Sequence, residues 1–94
     1  MLIRQGGADF ARQLVGDSHP HVRREAVRAL GQSGSAADAV LAASVLDQPM
    51  DKWLDYALWL TLRELAPYWL PEVQAGRLDF GGDPKQLLFA LQAA

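Results

Sequence analysis

The sequence contains no cysteine, and none of its apolar runs approaches the length of a membrane-spanning helix. The first absence excludes disulfide bonds, a thiol nucleophile, thiolate zinc ligands and covalent haem attachment. The second excludes a bilayer span, which needs roughly 18 consecutive apolar residues. The opening residues, MLIRQGGADF, also lack the apolar centre of a signal peptide. We therefore expect a chain that carries no cofactor and has no membrane partner.

A large excess of charge of one sign is also missing, because nine Lys and Arg residues stand against eleven Asp and Glu residues. Residues 1–34 carry five basic and three acidic side chains (5 − 3 = +2), whereas residues 35–94 carry four and eight (4 − 8 = −4). A duplex-binding protein normally presents a larger basic stripe, because phosphate neutralisation dominates its affinity. We expect no nucleic-acid partner.

Apolar residues at helical spacing are abundant, and half of the 94 residues are apolar, which favours a folded chain over a disordered one. The clearest helix starts at Pro20, which suits a first helical position, and stops at Gly31. Its apolar residues share one face: Val22, Ala26, Ala29 and Leu30. The arginines between them are predicted to lie mostly off that face.

Similar patterns predict further helices along the chain, and no segment shows the two-residue alternation of a strand. The predicted helices cover residues 10–15, 20–30, 35–46, 52–65, 69–75 and 84–93. Asp51 and Asp83 are expected to cap the helices at 52–65 and 84–93. Pro67 is expected to end the helix at 52–65. The aromatic residues in and just after this helix are expected mainly to build the core: Trp53, Tyr56, Trp59, Tyr68 and Trp69. The fold class is therefore all-α with five or six helices and about 60% or more of the residues helical.

The helical pattern repeats along the chain with an offset of 31 or 32 residues. The matching positions are Leu14 with Leu46, Val22 with Leu54, and Ala26 with Leu58. Helix pairs that recur at such a period are typical of an α-solenoid, in which each pair buries its apolar face against the next. We predict one domain over residues 1–94, a short α-solenoid of antiparallel helix pairs. Its approximate units are residues 8–31, 35–66 and 68–94.

The segment LVGDSHPHVRREAVRALG, residues 14–31, resembles the second half of a HEAT repeat. The resemblance implies a non-catalytic scaffold, and it gives Asp17 and Arg23 the role of a structural turn pair. The second unit has Leu54 and Asp55 at the positions of Val22 and Arg23. A continuous ladder of aspartate and arginine is therefore not expected.

Residues 45–91 are similar to helical segments in large haem-binding, sugar-dehydrogenase-like proteins of planctomycetes, where HEAT-like repeats separate a β-propeller from a c-type cytochrome domain. This second resemblance implies a spacer from a bacterial protein, in the periplasm if that protein is exported. The chain has no Cys-x-x-Cys-His motif. Neither haem binding nor dehydrogenase activity can therefore be assigned to any of its residues.

A few exposed side chains are candidates for contact with a partner. Arg24 and Arg28 could bind an acidic group, although a solvated helix face is the alternative for both. Trp59 falls nearer the charged side of its helix than the leucine side. Phe89 is expected to point away from the other apolar residues of the last helix. We therefore predict that the chain self-associates through Phe89.

The histidines His19 and His21 flank Pro20 at a predicted helix start. Two imidazoles without a third ligand make a poor zinc site, so we interpret them as exposed turn residues.

Two classes of function remain. The first is a HEAT-like scaffold or spacer that contacts a protein or adjoining domains of a longer chain. The second is an accessory enzyme such as a bilin lyase, which rests on fold analogy alone.

Overall fold

A computed structural model describes residues 10–94 of the chain, and three quarters of the structure is helical with no strand in the described part. This confirms the all-α prediction. The described helices are α1 at residues 10–14, α2 at Pro20–Leu30, α3 at Ala36–Ala43, α4 at Lys52–Gln74 and α5 at Pro84–Ala93. Short 3₁₀ turns at Ser44–Asp47 and Phe80–Gly82 follow α3 and precede α5.

Side-chain caps fix where several of these helices begin. The Asp51 carboxylate accepts a hydrogen bond from the Leu54 N–H at 2.8 Å and starts α4. Asp83 accepts from the first N–H groups of α5, as its sequence position predicts. Each cap satisfies helix donors that have no partner within the helix.

The helices repeat at the predicted interval, because α2 begins at Pro20 and α4 begins 32 residues later at Lys52. Helix α4 packs against α2, α3 and α5 and lies at the centre of the fold. Leucines fill most of the buried side of α4, while three of the four buried residues of α3 are alanines, whose small side chains allow helices to approach closely. The buried residues of these two helices are Asp38, Ala39, Ala42, Ala43, Leu54, Ala57, Leu58, Thr61, Leu62, Leu65 and Trp69.

The predicted end of a helix at Pro67 is wrong, since α4 continues through Pro67 and Pro71 to Gln74. A proline inside a helix costs about 3 kcal/mol. Both prolines lie on the exposed side, where water can bind the carbonyl groups that lose their helical donors. Trp69 is fully buried beyond the first proline, and its indole N–H donates to the Leu62 carbonyl at 2.8 Å. Burial of this large side chain offsets the cost and keeps the helix continuous.

The aromatic residues of α4 divide between the core and the surface. Trp69 is buried and meets the Phe80 ring edge-on at 5.5 Å. Trp53, Tyr56 and Tyr68 are more than half exposed, so the expectation that they build the core is wrong for these three. The leucines of α4 already fill its inner side, which leaves these rings outside.

The buried face of α2 is also rotated from the predicted one. Val27 is fully buried, although the sequence pattern did not place it in the core, and Val22 is only partly buried. Arg23 is 1% exposed instead of lying off the apolar face. The rotation is possible because the two terminal nitrogens of the Arg23 guanidinium donate hydrogen bonds inside the protein, although its buried Nε atom has no partner among the described residues.

Candidate interaction surface

The guanidinium group of Arg23 joins two successive turns of the chain. One nitrogen donates to the Asp17 carbonyl oxygen at 2.8 Å, and the other donates to the Pro49 carbonyl oxygen at 2.6 Å. Pro49 lies 32 residues after Asp17, at the equivalent position of the next turn. Arg23 therefore meets Asp17 as a turn pair through the main chain, and not through the aspartate side chain.

The Asp17 carboxylate serves the turn in front of α2. It accepts the His19 backbone N–H at 2.9 Å and lies 3.0 Å from the Nδ1 atom of the His19 ring. The backbone hydrogen bond, followed by that of the ring, lowers the pKa of Asp17. Ser18 Oγ approaches the same ring nitrogen at 3.4 Å, whereas a nucleophilic triad needs the serine and the carboxylate on opposite nitrogens. This geometry is that of a helix-start turn.

Two further arginines of the first helix pair bind acidic side chains of the second pair. Arg12 makes two hydrogen bonds of 2.8 and 2.9 Å to the buried carboxylate of Asp38, and these bonds lower the pKa of Asp38 against the effect of burial. Arg28 binds both oxygens of Glu64 at 2.9 and 3.1 Å and donates to Thr61 at 2.9 Å. The Arg28 guanidinium is therefore engaged in holding α2 to α4.

A row of aromatic and cationic side chains runs along the exposed side of α4. We call this row the outer stripe, and it consists of Lys52, Tyr56, Trp59 and Arg63. These residues follow one another at i, i+4, i+7 and i+11, so they lie in line on one helix face. The Tyr56 and Trp59 rings are stacked, with centroids 6.1 Å apart and planes 16° apart. Arg63 lies over Trp59 at 5.3 Å, and Lys52 lies over the neighbouring Trp53 at 5.0 Å.

The outer stripe is rigid on one side and accessible on the other. Trp59 is partly buried and packs against the core, which fixes its indole ring. Tyr56 is 60% exposed and Trp53 is 59% exposed. Within residues 10–94, neither Lys52 nor Arg63 forms an ion pair. The stripe thus offers aromatic surface and two cationic groups, and three of its four residues, Tyr56, Trp59 and Arg63, are of the types that dominate protein-binding interfaces.

The last helix presents a second exposed apolar pair, but not at the predicted residue. Phe89 is partly buried and packs against the core, because Ala90 and Ala93 turn that side of α5 inward. Leu88 and Leu91 are instead 57% and 44% exposed. The expectation that Phe89 is the outward residue of α5 is therefore wrong.

Comparison with known proteins now bears on this architecture. A family model described as HEAT repeats matches residues 3–62, more than half of the chain. The chain belongs to the HEAT-repeat family. No curated protein and no solved structure gave a significant match, so the similarity to planctomycete spacer segments receives no support.

HEAT repeats are generally non-enzymatic helical scaffolds that mediate protein interactions. The match begins at residue 3, before the described residues, and ends inside α4, before Pro67. It covers Lys52, Tyr56 and Trp59 of the outer stripe, but neither Arg63 nor α5. Among residues 10–94, no HEAT helix has both the length and the apolar character needed to cross a bilayer. The same residues contain no group of three or more His, Asp or Glu side chains placed to hold a metal ion.

The four partner-binding candidates of the sequence do not form one site in this HEAT chain. No hydrogen bond, ion pair or ring contact within the described part of the chain joins Arg24, Trp59 and Phe89. The sequence pattern places Trp59 near the charged side of its helix, but Lys52, Tyr56 and Arg63 were not predicted to contact a partner. The signal was present, since Lys52, Tyr56 and Arg63 have the spacing of one helix face.

Proposed function

We propose that this HEAT chain is a non-catalytic interaction module and that a protein segment binds along the outer stripe of α4. The segment belongs to a separate protein or to an adjoining domain of a longer chain. One observation carries the proposal: two stacked aromatic rings lie on the surface with cations that have no acidic partner within residues 10–94.

A partner that covers the outer stripe gains apolar contact area at a low cost in conformational entropy. Tyrosine and tryptophan give large contact areas while losing little conformational entropy, and packing already holds Trp59 against the core. A partner that covers the rings also removes their apolar surface from water. The stripe lies on α4, which packs against three other helices and is the central element of the fold.

A protein fits the stripe better than a nucleic-acid strand does. The whole chain has a net charge of −2, and the exposed Asp55 lies one helical turn from both Lys52 and Trp59. A phosphate backbone would meet this carboxylate and too few cations to bind firmly. A protein segment can place a donor opposite Asp55 and carboxylates opposite the two cations.

The experiment is site-specific photo-crosslinking in the cells that produce the protein. A photoreactive phenylalanine analogue replaces Tyr56 in one variant and Tyr68 in the control. Both tyrosines are exposed on α4, but twelve residues separate them, which places them about 120° apart around the helix. We expect discrete protein adducts from position 56 and not from position 68. No protein adduct at position 56, or equal adducts at both positions, would contradict the proposal.

A further inference from the structure

The outer stripe has a cation at each end and stacked rings between them, and this order indicates what kind of segment it fits. We propose that the partner is an acidic amphipathic helix. Two of its carboxylates bind Lys52 and Arg63, and its apolar side chains cover Tyr56 and Trp59. This inference rests on the proposed function and names the chemistry of the partner at the same surface.

Each cation is held in place by a tryptophan. Arg63 lies over the Trp59 ring at 5.3 Å, and Lys52 lies over the Trp53 ring at 5.0 Å. A guanidinium group that contacts a ring through its face keeps the N–H donors on its edge free, and these match the two oxygens of a carboxylate. The rings also restrict two long side chains, which reduces the entropy lost when a partner binds.

The charges of the other α4 residues are already balanced within the chain. Glu64 is paired with Arg28 and Glu72 with Arg77. Of the charged groups on α4 that form no such pair, two are positive, Lys52 and Arg63, and one is negative, Asp55. The N-cap Asp51 adds a second carboxylate beside Lys52, so the helix as a whole has no excess of positive charge. The outer stripe itself contains both cations and neither of these carboxylates, and this face therefore favours an acidic partner over a basic one.

The spacing of the cations sets the spacing of the acids. Eleven residues at about 1.5 Å per residue separate Lys52 from Arg63 by roughly 16 Å along α4. The two positions differ by only about 20° around the helix, so they face the same partner. A helix that lies along the stripe therefore meets both cations with acidic residues eleven positions apart. Apolar residues at the fourth and seventh positions after the first acid cover the two rings.

The test uses the full 94-residue chain and a synthetic helical peptide with Glu at positions i and i+11 and Leu at i+4 and i+7. Control peptides replace either Glu residue, or both, with Gln or with Lys. Binding is followed by the NMR signals of the three tryptophan indole N–H groups, which report contacts as weak as millimolar. We expect the Trp59 signal to shift and that of the buried Trp69 to stay. Each Glu→Gln change should weaken binding about twofold to fivefold, as for exposed ion pairs.

Variants of the chain show whether Arg63 contacts an acidic residue of the peptide. Arg63→Gln should lose the preference for Glu over Gln at one peptide position, whereas Lys85→Gln on α5 also removes one positive charge, away from the stripe, and should change nothing. Arg63→Glu should prefer a peptide with Lys at that position. Equal binding of the Glu, Gln and Lys peptides, or no shift of Trp59 at millimolar peptide, overturns the acidic-helix inference. Binding of a single-stranded oligonucleotide that is lost in Tyr56→Ala also overturns it. If position 56 still crosslinks to protein while the acidic peptide fails, the proposed function stands and only its partner chemistry is wrong.

Discussion

The two sides of α4 use the same residue types for different purposes. On the side that faces the other helices, Trp69 is buried with its indole N–H bonded, and Glu64 and Thr61 receive the guanidinium of Arg28. On the outer stripe, the Trp59 ring is stacked and Arg63 lies on it without an ion pair to a described residue. The difference shows that a residue type alone does not distinguish stabilising the fold from binding a partner.

The largest expected effect separates two tryptophans on the same helix. Trp69→Ala should lower the free energy of unfolding by about 3 to 5 kcal/mol, because it removes a fully buried ring and its hydrogen bond. Trp53→Ala should change it by less than about 0.5 kcal/mol, although the sequence pattern predicted a core role for Trp53. Urea denaturation followed by circular dichroism measures both. Equal losses would mean that the two sides of α4 are not distinct.

A second comparison sets the buried arginine of α2 against the exposed one of α4. Arg23→Met should cost about 2 to 3 kcal/mol, because it leaves the Asp17 and Pro49 carbonyl oxygens without their donors. Arg63→Met should cost less than about 0.5 kcal/mol. Thermal unfolding of the two variants beside the parent chain measures the difference. A small effect of Arg23→Met would show that the bond between the turns adds little stability.

The acidic residues give a smaller effect that depends on pH. The hydrogen bonds from Arg12 keep the pKa of Asp38 below its ordinary value of about 3.9 in the folded chain. The unfolded chain therefore takes up this proton more readily, so the contribution of Asp38 is complete above about pH 4 and is lost as the pH falls through the folded pKa. We expect Asp38→Asn to cost about 1 to 2 kcal/mol at pH 7.

The same variant should lose less stability than the parent chain when the pH is lowered from 5 to 2. Asp55→Asn on the exposed side is the matched control and should change stability at pH 7 by less than about 0.5 kcal/mol. Urea midpoints measured across this pH range test both variants. If Asp38→Asn lost as much stability as the parent chain between pH 5 and pH 2, the assignment of the ion pair between Arg12 and Asp38 would be wrong.

The smallest expected effect on stability concerns α5. Leu88→Glu and Leu91→Glu should leave unfolding nearly unchanged, because both side chains are largely exposed. The variants should reduce any self-association that sedimentation velocity detects at high concentration, since they place charge on an exposed apolar pair. Phe89→Glu should instead destabilise the fold, because the Phe89 ring packs against the core. A strict monomer in the parent chain would rule out self-association through this helix.

The helix pattern, the 32-residue period and the caps at Asp51 and Asp83 could be predicted from the sequence, because spacing and capping chemistry are local. The continuation of α4 through Pro67 could not be predicted from the sequence. It depends on the burial of Trp69 against Phe80, a contact between residues that helical periodicity does not relate. The burial of Arg23 was also beyond the pattern, since its acceptors include a carbonyl group 26 residues away.

The candidate surface was predictable only in part. Charge and aromatic content directed attention to Trp59, and the spacing of its neighbours was readable from the sequence. The sequence could not decide which stripe of α4 faces the core, because α4 has apolar residues on more than one side. Packing of the leucines against α2 and α3 made that choice and left Tyr56 and Trp53 outside.

The position of α4 in contact with α2, α3 and α5 has a consequence for how the molecule opens. In long helical arrays, terminal repeats can detach while the rest stays folded, because each repeat contacts only its neighbours. Here every large helix loses its main packing surface if α4 leaves. The most slowly exchanging backbone amides of α2, α3 and α4 should therefore share one opening free energy, and partial opening within residues 10–94 should be confined to the two ends of that range.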